Sequence, residues 1–288
     1  MNLLSGLEKF GFSIEEDMDI FAEEKTEEKK QTVVTEEGKV EEIPPEESFL
    51  LEKGIRCPVC DKVFKTKMVK NGRVKRLESD KDLRPRHQYI DTLKYDVASC
   101  PHCGYTAMVR FFPHLTGGQI KLITENVCKN FKPQPQKEEP PTYDYDTAIE
   151  RYKLALFNTV VKKGKTSEKA YTCLKIAWLI RGKAETITGD GEEQKQLRAQ
   201  CQKEEAAFYQ QAYDGLMKAV STEMFPICGM DQSTVDYLLA TMSIHYKKYD
   251  VASKLLAGIL TSQTAGRQIK DKALGLKEEV VAELRKGK

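Results

Sequence analysis

Two cysteine pairs are the residues of this sequence whose spacing indicates the most specific chemistry. Cys57 and Cys60 flank a Pro-Val dipeptide, Cys100 and Cys103 flank a Pro-His dipeptide, and 39 residues separate the pairs. Two thiolates three positions apart can reach one ion from a tight turn, and two such turns fill all four positions of a tetrahedral metal. A site without an open position is structural. We therefore predict one structural zinc ion on these four cysteines.

The residue after each pair supports the same interpretation. Turns of this kind often need a left-handed backbone there, which Gly104 adopts without strain and Asp61 tolerates better than most residues. Iron in a rubredoxin-like site would use the same sulfurs and stays open. Disulfide exchange by the Cys-Pro-His-Cys pair is the other alternative, but a βαβ context is missing. His87 and His102 are interpreted as surface residues and not as ligands.

The segment between the pairs predicts a small antiparallel sheet of the zinc-ribbon type. Residues Phe64 to Met68 alternate apolar and basic side chains, and the turn pair Asn71-Gly72 and the stretch Val74 to Leu77 follow, which together predict a β-hairpin. A third strand is predicted through Tyr95 to Ser99. Beyond it, the capping-box spacing at Thr116 predicts a helix that runs to about residue 131.

From Asp144 onward the apolar spacing predicts long helices that repeat weakly. The stretches that begin at Tyr145-Asp146 and Tyr249-Asp250 share one spacing, which is that of the second helix of a tetratricopeptide unit. Stacked pairs of this kind leave a groove that binds peptides. The last helix, with a stripe of apolar residues, is interpreted as a solubilising cap; that stripe consists of Ile269, Ala273, Leu276, Val280 and Leu284.

Charge and composition predict how these parts are arranged along the 288 residues. Met1 to Lys53 carries 16 acidic and 6 basic residues, so an acidic segment precedes a basic body. The predicted fold class is α+β. Residues 1–48 are predicted to form an acidic tail that is largely disordered, and residues 49–131 a zinc-ribbon-like domain. A proline-rich linker at 132–141 leads to an all-α tetratricopeptide-like domain at 142–288. A short amphipathic motif with Leu3, Leu4, Leu7 and Phe10 begins the tail.

Several functions are not supported by the sequence. No apolar run is long enough for a membrane span, and Met1 to Phe12 does not have the pattern of a secretory signal, so we expect a cytoplasmic protein. Gly164-Lys165-Thr166 resembles the end of a phosphate-binding loop, but the upstream glycine position holds Thr159. We predict no nucleotide, catalytic or other cofactor site.

Several of these motifs together resemble a bacterial family known only as domain of unknown function 2225. They are the two cysteine turns with Phe64 and Tyr105 after them, and the helical stretches Ala148 to Leu156 and Leu174 to Leu179. The resemblance runs from about Gly54 to the C-terminus. It implies a bacterial, cytosolic protein with a tetratricopeptide-like C-terminal half and the same four cysteines, and it implies no activity.

The expected function is that of a non-catalytic, zinc-stabilised adaptor that binds a protein or peptide in its helical groove. The alternative is a nucleic-acid-binding zinc ribbon, because residues 62–86 carry ten basic and three acidic side chains. Aromatic residues that could stack on bases are sparse in that segment, since Phe64 is its sole aromatic side chain.

Overall fold

A computed structural model describes residues 43–133 and 140–286 of the chain. The predicted acidic tail and the amphipathic motif at its start lie outside these residues, apart from the last few residues of the tail. The described elements are β1 (Leu50–Arg56), β2 (Val63–Val69), β3 (Val97–Ser99), β4 (Thr106–Met108), α1 (Gly117–Ile123), α2 (Tyr145–Val161), α3 (Thr166–Glu185), α4 (Glu192–Thr222), α5 (Gln232–His245), α6 (Tyr249–Thr261) and α7 (Arg267–Lys286). The α+β class is confirmed, because short antiparallel strands precede a mostly helical C-terminal part.

The strands pair differently from the predicted three-stranded sheet. In the described residues β1 pairs with β2, with Leu50 opposite Val69, and β3 pairs separately with β4, with Val97 opposite Met108. Both ladders are antiparallel. The third predicted strand exists as β3, but it has no partner in the β1–β2 ladder, so the prediction of one continuous sheet is wrong.

The predicted hairpin through Asn71-Gly72 is also wrong. Asn71–Arg73 forms a single 3-10 turn, and the stretch that follows contributes only an isolated bridge from Arg76 to His87. The partner of β2 is the strand before it, because β1 places Ile55 opposite Phe64 and so completes an apolar cross-strand pair. The far end of the ladder is closed when Lys70 donates its backbone N–H to the Phe49 carbonyl at 2.8 Å.

The predicted helix after the cysteine turns is confirmed with its cap. Thr116 and Gln119 form the reciprocal capping box, and α1 starts at Gly117. The chain then continues as a short π-helical turn, Thr124–Cys128. Ile123 at the end of α1 and Val127 in the π-helical turn are buried and join the core that surrounds the cysteines.

The described residues fall into two compact units. The first comprises those of 1–78 and 85–212, and the second those of 79–84 and 213–288. Both β-ladders and helices α1, α2 and α3 therefore belong to the first unit. The domain boundaries at 49–131 and 142–288 stay a prediction.

Helices of the first unit bury charged side chains in matched pairs. Lys153 on α2 lies 2.6 Å from Glu204 on α4, and Lys183 on α3 lies 2.5 Å from Asp146 on α2. Burying a charge without a partner costs several kcal/mol, so these pairs fix which helix faces meet. The aromatic side chains of Trp178 and Phe208 are buried in this unit.

The second unit combines the end of α4 from residue 213 onward, α5, α6 and α7 with the short segment 79–84. Ala252, Leu256 and Ile259 of α6 pack in one cluster with apolar residues of α7. Four residues of the predicted α7 stripe face this cluster, whereas Leu284 is 45 % exposed. In the described part of the chain, no helix combines the length and apolarity that crossing a membrane requires.

Candidate metal centre

The four predicted cysteines meet at one point of the first unit. Their sulfur atoms all lie within 4.8 Å of one another. The Cys57 and Cys103 Sγ atoms are 3.6 Å apart, as are those of Cys60 and Cys100. A disulfide would require about 2.05 Å, whereas tetrahedral zinc with Zn–S bonds of about 2.3 Å separates its sulfurs by about 3.8 Å. The four residues are therefore positioned to hold a metal ion, and the distances fit zinc.

Each pair sits in the same backbone turn. In the first turn Asp61 donates its N–H to the Cys57 carbonyl at 2.9 Å, and Cys57 donates to the Lys62 carbonyl at 2.9 Å. The second turn repeats the pattern, with Gly104 donating to the Cys100 carbonyl and Cys100 donating to the Tyr105 carbonyl, at 3.0 and 2.8 Å. We call these the first and second knuckles. Their repeated geometry aims two sulfurs from each toward a shared centre.

The left-handed positions predicted for the knuckles are confirmed. Asp61 has φ of 63° and Gly104 has φ of 76°. At Gly104 a second constraint applies, because an added Cβ would lie 2.4 Å from a ring carbon of Phe131. At Asp61 the side chain instead accepts two hydrogen bonds from Arg56, at 2.7 and 2.6 Å, in an exposed pair.

Burial and mutual hydrogen bonding set the proton affinities of the sulfurs. Cys57 and Cys100 are fully buried, Cys103 is nearly so, and Cys60 is half-buried. Hydrogen bonds from Cys103 and then from Cys57 lower the pKa of Cys100, while the contact with Cys100 raises the pKa of Cys103. A bound cation would favour the thiolate form of all four.

Aromatic and helical residues enclose the knuckles. Tyr105, fully buried, donates its hydroxyl hydrogen to the Phe112 carbonyl at 3.0 Å, and the Phe112 ring meets Phe64 edge-on at 5.8 Å between centroids. From α2, the side-chain amide of Asn158 donates to the Gly104 carbonyl at 3.4 Å, and Leu154 joins the same core. The centre is therefore built into the core that joins the ladders to α2.

Sequence reasoning missed three of these surrounding residues. Phe131 and Asn158 carry no motif, and each reaches the second knuckle only through tertiary packing. Cys128 stands alone in the sequence, and it packs against the cysteine core. The remaining cysteines, Cys173, Cys201 and Cys228, are all buried, which is common for a cysteine that packs as a small apolar side chain. Among the described residues, neither His87 nor His102 belongs to the metal-ligand cluster.

Comparison with known proteins identifies the family. Residues 50–280 match the family model described as "Uncharacterized protein conserved in bacteria (DUF2225)". The match covers most of the chain and includes both knuckles, the long helices α2 to α6 and most of α7. The chain belongs to this family, as the resemblance of its motifs indicated. Neither the curated proteins nor the solved structures contained a match to it.

Proposed function

We propose that this chain is a non-catalytic adaptor whose cysteine centre holds one structural zinc ion and whose helical part binds another protein. The observation that carries the proposal is the closed set of four sulfurs within 4.8 Å of one another. Four protein thiolates leave a tetrahedral ion no position for substrate or water, which is the arrangement of structural zinc. A cytoplasmic location fits this proposal, because reducing compartments keep thiols available as ligands and none of the eight cysteines, all of which lie in the described residues, forms a disulfide.

The metal would stabilise more than the knuckles themselves. Leu154, Phe157 and Val161 of α2 pack on the same core as Cys57, Cys100 and Cys103. Because metal and helix share one core, zinc would hold α2 in place as well as the ladders. Chelation of the purified full chain tests this role: it should lower helix content as well as disrupt the knuckles. Helix content that is unchanged by complete zinc removal would contradict it.

A partner-binding face is available on α7. Leu274, Val281 and Leu284 are 49 %, 37 % and 45 % exposed, and their spacing of seven and three residues puts them on one side of the helix. Lys270 and Lys277 share that side and form no ion pair with any residue that the structure describes. A face that alternates apolar and cationic groups fits an acidic segment with apolar residues at helical spacing.

Affinity capture with two matched variants tests the adaptor hypothesis. The full chain, the α7 double variant Leu274→Glu/Val281→Glu and the control Leu197→Glu would be used to capture proteins from a bacterial lysate. Leu197 is an exposed leucine of α4, 40 % exposed, so its variant controls for added charge alone. A stoichiometric partner kept by the control and lost by the double variant supports the proposal. A partner held equally by all three, or none at all, contradicts this role of α7.

Nucleic-acid binding is the second candidate, and three exposed cations favour it. Lys62, Lys75 and Arg76 are exposed and form no ion pair within the described residues. Other basic side chains of 62–86 are already compensated, as when Lys65 pairs with Glu52 at 2.7 Å and Arg86 with Glu185 at 2.6 Å. Phe64 is buried and so cannot stack on a base. Binding to RNA or DNA that weakens steeply with salt, and further after Lys62→Ala/Lys75→Ala, would favour this candidate over the adaptor.

A further inference from the structure

Residues 79–84 belong to the second unit, whereas the chain on either side of them belongs to the first. Two backbone hydrogen bonds close this segment into a turn, because Asp80 donates its N–H to the Arg84 carbonyl at 3.0 Å and Leu83 donates to the Asp80 carbonyl at 2.9 Å. Leu83 has a φ of 67°, in the left-handed region that tight turns use. We call residues 79–84 the tip. It is a short turn that packs on helices more than 140 residues further along the chain.

The tip buries two charged side chains beside an apolar one. Arg84 is 1 % exposed, Asp82 is 4 % exposed, and Leu83 packs against the apolar cluster of α5, α6 and α7. The Arg84 guanidinium lies 4.0 Å from the Asp80 carboxylate, so part of its charge is balanced within the tip. Buried arginine is among the residues that most often dominate the binding free energy of protein interfaces. The tip therefore has the chemistry of a buried binding motif.

Polar contacts surround these buried side chains. From α5, Thr241 donates its hydroxyl hydrogen to the Lys81 carbonyl at 3.5 Å. From α7, Glu279 pairs with the Lys81 ammonium at 2.7 Å, and Lys272 donates to the Ser79 hydroxyl at 3.4 Å. Buried anchors within a polar rim are the anatomy of a protein–protein interface. We call the surface of α5 and α7 that holds the tip the tip site.

The tip site is distinct from the exposed apolar face of α7. Lys272 and Glu279 are seven residues apart and therefore share one side of the helix. Leu274 and Val281 each follow one of them by two residues, which places them about 160° around the helix axis. The tip site and the exposed face can therefore be tested independently.

We propose that the tip site binds a turn of another protein that presents leucine and arginine beside aspartate, and that the tip occupies the site when this partner is absent. The inference rests on the proposed binding of a protein by the helical part, and it specifies where the partner binds and which chemistry is recognised. The occupant is argued from the tip itself, because a surface that holds Asp-Lys-Asp-Leu-Arg from its own chain also fits that turn from another chain.

The tip competes with such a partner because it is covalently attached. A tethered segment acts at an effective concentration on the order of 1 mM, so a free peptide of the same sequence should bind the wild-type chain only weakly. A substitution that weakens the contact of the tip increases the fraction of chains with an open site, and with it the apparent affinity for the peptide.

Glu279→Lys is such a substitution, and it also changes the preference of the site. It replaces attraction to Lys81 by repulsion, so the natural tip is held less firmly. Both side chains of this pair are at least 39 % exposed, so the fold should tolerate the change. Glu278→Lys is the matched control, because it adds the same charge at an exposed neighbour about 100° around the helix.

Fluorescence anisotropy of a labelled synthetic peptide measures binding to the purified full chain. The peptide contains residues 77–86 in three forms, which are the natural sequence, Lys81→Glu and Lys81→Glu/Arg84→Ala. We expect the Glu279→Lys chain to bind the Lys81→Glu peptide at least about threefold more tightly than the natural peptide. Arg84→Ala in that peptide should weaken binding at least about tenfold, because the buried anchor is lost. Wild type and the control chain should bind the Lys81→Glu peptide no better than the natural one.

A second chain, Arg84→Ala, removes the anchor of the tip and leaves the site itself unchanged. It should bind the natural peptide more tightly than wild type does. Equal binding of the natural and Lys81→Glu peptides by Glu279→Lys, or binding that survives the loss of Arg84 from the peptide, would overturn the inference. So would the absence of peptide binding by both variant chains up to about 1 mM peptide.

Two further results identify the occupant and separate this inference from the proposed function. A wild-type dimer that Glu279→Lys dissociates would assign the site to the tip of a second copy and overturn the choice of another protein. Peptide binding as expected, by a chain that captures no partner through Leu274 and Val281, would support the tip site and contradict only the proposed role of the exposed α7 face.

Discussion

The two knuckles have the same backbone hydrogen bonds but different surroundings. The first is followed by Asp61, which is exposed and held by Arg56, and its Cys60 is half-buried. The second is followed by Gly104, which is packed beneath Phe131, and its two cysteines are buried. The same turn can therefore lie at the surface, where a side chain after the second cysteine is accommodated, or inside a core, where it is not. The comparison predicts that equivalent substitutions in the two knuckles have unequal effects.

Removal of a ligand should have the largest effect, and it should be greater in the second knuckle. Structural zinc contributes on the order of 10 kcal/mol of apparent binding free energy, which is similar to the whole stability of a typical domain. Cys100→Ser removes a fully buried sulfur, so we expect zinc to be lost and the first unit to unfold. Cys60→Ser leaves a position that water can reach, so we expect weaker binding that excess zinc restores.

Zinc titration followed by circular dichroism checks this difference. Cys201→Ser, which removes a cysteine outside the knuckles, should bind zinc like wild type. Equal zinc affinity of Cys60→Ser and Cys100→Ser would show that the two knuckles contribute equally, contrary to the comparison.

A methyl group at Gly104 should have the next largest effect. Ala at a positive φ costs about 1–2 kcal/mol, and overpacking adds about 1–3 kcal/mol, so we expect Gly104→Ala to lower the free energy of unfolding by about 2–5 kcal/mol. The second contribution comes from Phe131, whose ring carbon would lie 2.4 Å from the new Cβ. Urea denaturation at saturating zinc measures the free energy of unfolding, and its decrease gives the sum of the backbone and packing contributions.

A double variant separates the two contributions at Gly104. If the ring clash is real, Gly104→Ala in a Phe131→Ala background should cost little more than the backbone part, about 1–2 kcal/mol, because only the Cβ of residue 131, 3.1 Å from the new methyl group, stays close. The same cost in both backgrounds would mean that Phe131 does not pack on Gly104.

Substitution of Asp61 should have the smallest effect. Asp61→Ala keeps a Cβ at the positive φ and loses the tolerance of aspartate for that conformation, so we expect it to destabilise by about 1 kcal/mol. Asp61→Gly removes the backbone strain at the positive φ and loses only an exposed ion pair with Arg56. Because such pairs contribute little, this variant should leave the unfolding midpoint nearly unchanged. If Asp61→Gly were the more damaging of the two, the Arg56 contact and not the backbone would stabilise the first knuckle.

Local features of this chain could be predicted from sequence. The knuckle turns, the left-handed backbone at Asp61 and Gly104, and the capping box at Thr116 each depend on residues within a few positions of one another. Periodic apolar residues likewise predicted helices from Asp144 onward, which the structure contains. In each case the physical cause lies within a single turn or helix.

Features that depend on distant residues were missed or mispredicted. The alternation in Phe64 to Met68 correctly indicated a strand, but it could not identify whether the preceding or the following segment would pair with it. Two contacts join residues that no spacing rule connects. Cys128 packs against the cysteine core, and segment 79–84 meets α7 through the 2.7 Å pair of Lys81 and Glu279. Which distant segments pair is determined by the packing of the whole core.

Metal content and metal geometry of the purified full chain are the most direct test of the central claim. Elemental analysis should give one zinc per chain, and X-ray absorption at the zinc edge should show four sulfur neighbours at about 2.3 Å. A chain that contains no transition metal, or an ion with fewer than four sulfur neighbours, would contradict the closed cysteine centre on which the proposed function depends.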